Sequence, residues 1–258
     1  MSGAHGGFTR ARVAGALVAA VWLTRGATAL AYRPFDGTDA AVAEVGEFEA
    51  ELGSAYTRRE DGHATLALPA TVLNLGFARH LEAVVDFKPV LALGAAPEGE
   101  RFELADTDAL VKWVFVPGSM QGGRGPSVAL ETGPLLPELH GDPGFGYQAS
   151  VIVSQRWRAV TAHVNALGAL SRTGELEAVG SLIVEGLPAS RVRPVTELLI
   201  DGTRGHGLTY SALEGAIWTL SDTLALDAAG RVAREEHRAA FEARVGFTWA
   251  VALWTQRE

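Results

Sequence analysis

Charges in this 258-residue chain tend to fall at alternate positions of apolar stretches. Between 81 and 93, Leu81, Ala83, Val85, Phe87, Pro89, Leu91 and Leu93 form one set, while Glu82, Asp86 and Lys88 belong to the other. Asp108 and Lys112 oppose Ala109, Val111, Trp113 and Phe115, and Glu131 stands against Val128 and Leu130. Arg156 and His163 occupy the polar sets of their own stretches; Arg193 pairs with Glu197, Asp227 with Arg231, and Glu242 with Arg244. Opposite charges on one face of neighbouring strands can pair and hold a wall together, because buried charges need partners. The same fourteen residues could instead line a charged constriction that selects among solutes.

Nucleophilic chemistry needs a nucleophile and a base within hydrogen-bond reach. His163 has Asn165 on its own face but no Ser at that spacing; Ser154, on the preceding stretch, could approach it. His206 near Asp201, or Asp106 with Asp108, could assemble an acid–base site, though each reads more simply as a loop or lumen residue. His63, His80, His140, His206 and His237 are scattered without His-x-His or His-Glu-x-x-His spacing, so no metal site is expected. The Gly-rich segments 118–125 and 202–207 lack a Lys-Ser/Thr ending and a following helix, so they read as loops and not phosphate cradles. Catalytic residues and cofactors are therefore expected to be absent.

A period of two places alternate residues on opposite faces of a β-strand, whereas a helix would scatter them. The pattern recurs about twelve times: from 47 onward, then 63–77, 81–93, 107–116, 127–136, 147–157, 160–171, 176–186, 192–201, 208–220, 223–232 and 239–253. Most runs reach ten residues or more, against roughly 5–6 for an ordinary strand and about 9–11 for one that crosses a bilayer at a tilt. The links at 76–80, 157–159, 188–191 and 221–223 are tight. Those at 95–106, 137–146, 201–207 and 234–238 are longer and polar. Short turns at one end and longer loops at the other are expected of an all-β, antiparallel up-and-down transmembrane barrel. Segment 117–125 breaks the rhythm: parity asks for a short turn there, so either the strand count is wrong or the turn is elaborated.

The chain has no Cys, which excludes disulfides and thiolate metal sites, and a formal charge of −8, which argues against a nucleic-acid partner. No run reaches the roughly 18–20 apolar residues of a membrane-spanning helix. Arg10 and Arg12, the apolar run 13–23 and Ala29-Leu30-Ala31 read as a secretory signal over 1–31. Residues 32–46 are irregular and read as an N-terminal periplasmic extension, with a plug inside the lumen as the other possibility. A soluble exported β-protein that binds a ligand would share the alternation. Strand length and the aromatic residues at strand ends, such as Trp113, Tyr147, Trp157, Trp218 and Trp249, favour a membrane barrel over 47–254, with 255–258 as a C-terminal tail.

Four pieces of sequence look familiar: Arg33-Pro34-Phe35-Asp36-Gly37-Thr38-Asp39-Ala40, Leu73-Asn74-Leu75-Gly76-Phe77-Ala78, Val153-Ser154-Gln155-Arg156-Trp157 and Arg193-Pro194-Val195. Through them, residues 33–249 resemble a family of proteobacterial outer-membrane β-barrel proteins described as transporters, related to the barrels linked to the meta pathway of phenol degradation. The resemblance implies an outer-membrane barrel that passes small, hydrophobic or aromatic molecules, and it implies no catalytic residues. The expected function is a passive channel in the bacterial outer membrane, with outer-membrane lipids and the barrel assembly machinery as partners. An outer-membrane hydrolase using His163 is the enzymatic alternative. About eight strands enclose only packed side chains and 16–18 leave an aqueous channel, so twelve imply a narrow or partly blocked lumen.

Overall fold

The computed structural model describes residues 33–94, 101–235 and 238–254. The signal at 1–31, Tyr32 and the tail 255–258 lie outside the described residues. Twelve strands follow in order: β1 (Glu47–Arg59), β2 (Ala64–Ala78), β3 (Leu81–Leu93), β4 (Phe102–Val116), β5 (Ser127–Leu135), β6 (Gly146–Arg156), β7 (Val160–Leu170), β8 (Leu176–Gly186), β9 (Val192–Thr203), β10 (Leu208–Ser221), β11 (Leu224–Glu235) and β12 (Arg238–Ala252). Each pairs antiparallel with its sequence neighbours, and β1 pairs with β12, so the sheet closes without an edge. Closure is what lipid demands, since an unpaired edge in hydrocarbon would leave backbone groups unsatisfied.

Alternation sets the two faces. On β3, Glu82 and Val84 are buried in the lumen while Val85, Leu91 and Leu93 are exposed on the outside. On β7, Thr161, His163 and Asn165 face inward and Val164 and Leu170 outward. Exposed aromatics collect toward the two ends of the wall: Trp113, Trp157, Trp218 and Trp249 at the end bearing the short turns, Tyr56, Phe102, Tyr147 and Tyr210 at the other. This is the arrangement of a transmembrane barrel with interfacial girdles.

Several boundaries move relative to the sequence reading. β4 begins at Phe102 and not at 107: Asp106 takes φ 49°, the register against β3 shifts between Asp86 and Lys88, and pairing resumes beyond the kink. β11 continues to Glu235 and β12 starts at Arg238, so 234, 235 and 238 of the expected long link are strand, and 236–237 lie outside the described residues. The count of twelve holds through 117–125, where the turn is elaborated by a single 3-10 turn, Ser119–Gln121.

If the outer face meets lipid, a charge in the middle of β6 must be expensive. Val151→Lys should lower folding stability in lipid vesicles by ~2–4 kcal/mol, while Val151→Leu should change it little, as read by urea unfolding.

Candidate functional site

Residues 33–46 run inside the barrel, entering at the short-turn end beside the start of β1. Gly46 accepts from Leu253 N–H and donates to the Gly76 carbonyl at 2.7 Å each, fixing the point of entry. From there the segment donates its backbone N–H groups to wall side chains: Ala43 to Glu82 at 2.5 Å, Ala40 to Ser154 Oγ at 2.8 Å, Thr38 to Asn165 Oδ1 at 3.1 Å, Gly37 to Glu197 at 2.8 Å, and Arg33 to Glu51 at 3.1 Å. Side chains of the wall answer in the other sense. Lys112 Nζ donates to Thr38 Oγ1 at 2.9 Å, and Gln121 Nε2, from the elaborated turn, donates to the Ala40 carbonyl at 2.7 Å.

Charge and packing complete the fit. Asp36 bridges the guanidiniums of Arg231 and Arg244, the latter at 2.6 Å, and Arg231 also binds Glu197 at 2.6 Å. Arg33 reaches Asp227 at 3.6 Å. Its guanidinium lies where side chains at Gly53 and Gly246 would stand: a Cβ would meet it at 2.1 Å and 2.5 Å respectively, and these two glycines are paired across the β1–β12 seam. Phe35 packs on Val195, Ile217 and Ala225, while Ala40 and Val42 pack on Val114, Ala129 and Ile152. Gly37 is equally constrained, since a Cβ there would fall 2.4 Å from Ser181 Oγ. Above the segment, on the side of the outer loops, lies a chamber of about 640 Å³; Arg33, Asp36 and Thr38 contribute to its floor, and Asp86, Lys88 and Asp201 to its wall.

The fourteen residues singled out from sequence are distributed as follows. Glu82, Lys112 and Glu131 form one cluster, with Lys112 3.6 Å from Glu82 and 3.4 Å from Glu131. Glu197, Arg231, Glu242 and Arg244 gather around Asp36, and Asp227 receives Arg33. Asp86, Lys88 and Asp108 line the chamber; Lys88 is ion-paired to Asp106, and Asp108 is held at 2.9 Å by Arg172 of the β7–β8 turn. Arg193 lies 3.6 Å from Glu185. Arg156 stands exposed at the turn end of β6, its N–H bonded to Ser119.

Ser154 does approach His163: Oγ is 2.8 Å from Nδ1, and His163 Nε2 is 3.0 Å from Glu185. The hydroxyl is fully buried and already accepts the Ala40 N–H. The sequence reading gives no site role to Glu185, Arg33, Asp36 or Gln121; Glu185 follows from the alternation of β8, Arg33 and Asp36 stand out only as part of the motif 33–40, and nothing local marks Gln121. Among the described residues no three His, Asp or Glu side chains are grouped to hold a metal.

A closed twelve-stranded transmembrane barrel, its lumen filled by its own N-terminal segment, is the class that fold and site define. No family model matches the chain, and no curated protein matches it. Among solved structures it is similar to an outer membrane channel from Pseudomonas putida F1, with TM-score 0.64 at 8% identity over 84% of this chain and 100% of that one. The KdgM porin in complex with disordered oligogalacturonate gives TM-score 0.49 at 9% identity over 77% of this chain and 98% of that one. The first likeness is one of fold.

Asp36 gives the seat of the segment a pH signature. Burial alone would raise its carboxyl, but the Arg244 and Arg231 guanidiniums outweigh burial and hold it well below the usual carboxylate range. A group depressed in the folded state contributes fully above its unfolded value, about pH 4, and is lost as pH falls through the folded one. Asp39 shifts the other way, raised by burial against His163 and Lys112, so acidification favours its buried form. Single-channel current should therefore stay low from pH 8 down to about pH 4 and rise only below it. Asp36→Asn should raise the current already at pH 7 and flatten that dependence. Gly53→Val, which fills the Arg33 slot, should raise the current at every pH.

Proposed function

We propose that this chain is an outer-membrane channel for small molecules, constricted by its own residues 33–46. The observation that carries the reading is the chamber of about 640 Å³ on the side of the outer loops, floored by that segment. Cavities of this size suit small ligands, and about 150 Å³ suffices for benzene. The chamber mixes carboxylates and cations with Phe35, Val84, Leu110 and Leu199, a lining that accepts a small aromatic acid or hydrocarbon without matching either closely. The sequence resemblance to outer-membrane barrels described as transporters, which implies small hydrophobic or aromatic molecules, supports the same substrate class. Lipid of the outer membrane is the solvent of the barrel wall, and the barrel assembly machinery inserts it. The fourteen wall residues act in this reading as the frame that seats the segment and lines the path.

Deleting residues 33–44 should raise single-channel conductance several-fold and speed the uptake of small aromatic acids into liposomes, with the folded barrel still shifting on heating in a gel. Equal, low flux with and without the segment would sink the channel.

The Ser154–His163–Glu185 relay favours a second reading, a hydrolase. We assign the relay to seating Ala40, because its hydroxyl is buried and already accepts the Ala40 N–H. Wild-type protein should show no p-nitrophenyl ester turnover above the background of Ser154→Ala; a difference would establish the enzyme.

A further inference from the structure

Among the described residues, Glu214 is the one ionisable side chain on the lipid-facing set between the two aromatic girdles. On β10 the inward positions are Ser211, Leu213, Gly215 and Ile217, and Glu214 stands exposed between Ala212 and Ala216. Tyr210 and Trp218, both exposed, lie four residues to either side of it. At about 3.3 Å per residue and a tilt of roughly 40°, each aromatic is ~10 Å away along the membrane normal. The hydrogen-bonded register gives the same depth. One row runs from Tyr56 at the outer girdle through Ala243 and Gly230 to Glu214, then on through Thr196 to Gln155 at the turn end. Glu214 is three strands from one end of that row and four from the other.

A carboxyl group at this depth is too short to reach either interface, and an ionisable residue in hydrocarbon marks a functional contact by default. Among the described residues it has no hydrogen bond or ion pair. Its neighbours are small, with Ala212 and Ala216 on its own strand, Ala228 and Gly230 on β11, and the hydroxyl of Thr196 directly across on β9. Small residues let two membrane surfaces approach closely enough for polar side chains to bond across them.

We propose that the outer face of β9 and β10 is the interface of a homodimer, with the two-fold axis passing through the Glu214–Thr196 pair. The occupant is a second copy because two copies inserted in the same sense carry Glu214 and Thr196 one strand step, ~3 Å, from the same depth. A two-fold axis through the pair then sets each carboxylate against the other copy's threonine hydroxyl, giving two reciprocal hydrogen bonds, as an isologous contact requires. A partner of different sequence would need a donor at this same depth, whereas a second copy brings its own. The inference rests on the transmembrane reading and not on what passes through the lumen.

The chain has no Cys, so single labelling sites are clean. Purified barrel would be labelled at Asp222→Cys, in the turn after β10, or at Arg79→Cys, in the turn between β2 and β3, and reconstituted at high dilution in liposomes. Photobleaching should show two steps, and energy transfer between copies should be strong for the Asp222→Cys label and weak for the Arg79→Cys label. Glu214→Leu should lower the two-step fraction about tenfold while Glu214→Gln retains most of it, the size expected when hydrogen bonds across a membrane interface are lost. A band that still shifts on heating would show that the leucine variant is folded. Single-step bleaching of folded wild-type protein would overturn the dimer while leaving the barrel standing. So would an undiminished dimer in Glu214→Leu, stronger transfer between Arg79→Cys labels, or co-purification with a different protein in place of a second copy.

Discussion

Buried carboxylates in a closed wall must find donors, and in this barrel the donors are main-chain N–H groups of the chain's own N-terminal segment. Glu51, Glu82 and Glu197 are almost wholly buried, and each accepts from the segment, at Arg33, Ala43 and Gly37. A buried acceptor left unmade costs ~1–3 kcal/mol, more when charged, whereas a made bond contributes only ~0.5–1.5 kcal/mol. The asymmetry makes segment and wall mutually dependent. Without the segment, the wall's carboxylates need water; without the wall, residues 33–46 have no partner for their polar backbone.

That dependence explains why so much of the interior is charged in a lumen too narrow for an open pore. Asp36 sits among Arg231, Arg244 and Glu197, and each cation answers more than one acid. Such a network would be a poor source of net stability in a core that apolar side chains could fill. Water could equally satisfy the groups of this network, as it could not an apolar filling. The paired glycines at the seam make the same point sterically: Gly53 and Gly246 leave a slot the width of a guanidinium, which Arg33 fills and which solvent could fill in its place.

Much of the wall was legible because alternation is local: the third and eighth strands, Leu81–Leu93 and Leu176–Gly186, have the bounds their own residues announce. What escaped is whatever depends on distance along the chain. Asp36 meets Arg231 across 195 positions, and Ala40 meets Ser154 across 114, so the sequence left residues 33–46 open between a periplasmic extension and a luminal plug, with none of the plug's partners legible. Glu214 escaped for the opposite reason: its strand was read without its two faces, and only the flanking register separates a lumen carboxylate from one in lipid.

The irregular turn between β4 and β5 joins these threads. A tight connection there would have kept the parity of the barrel but left the Ala40 carbonyl without its donor. The 3-10 turn instead carries Gln121 to that carbonyl, while Gln121 Oε1 accepts from Ser127 and from Gly118 N–H, so the side chain is fixed before the segment arrives. Ser119 of the same turn accepts the Arg156 N–H, tying it to the strand that bears Ser154. The two groups that hold Ala40, one at its carbonyl and one at its N–H, are thus fixed to a single rigid corner.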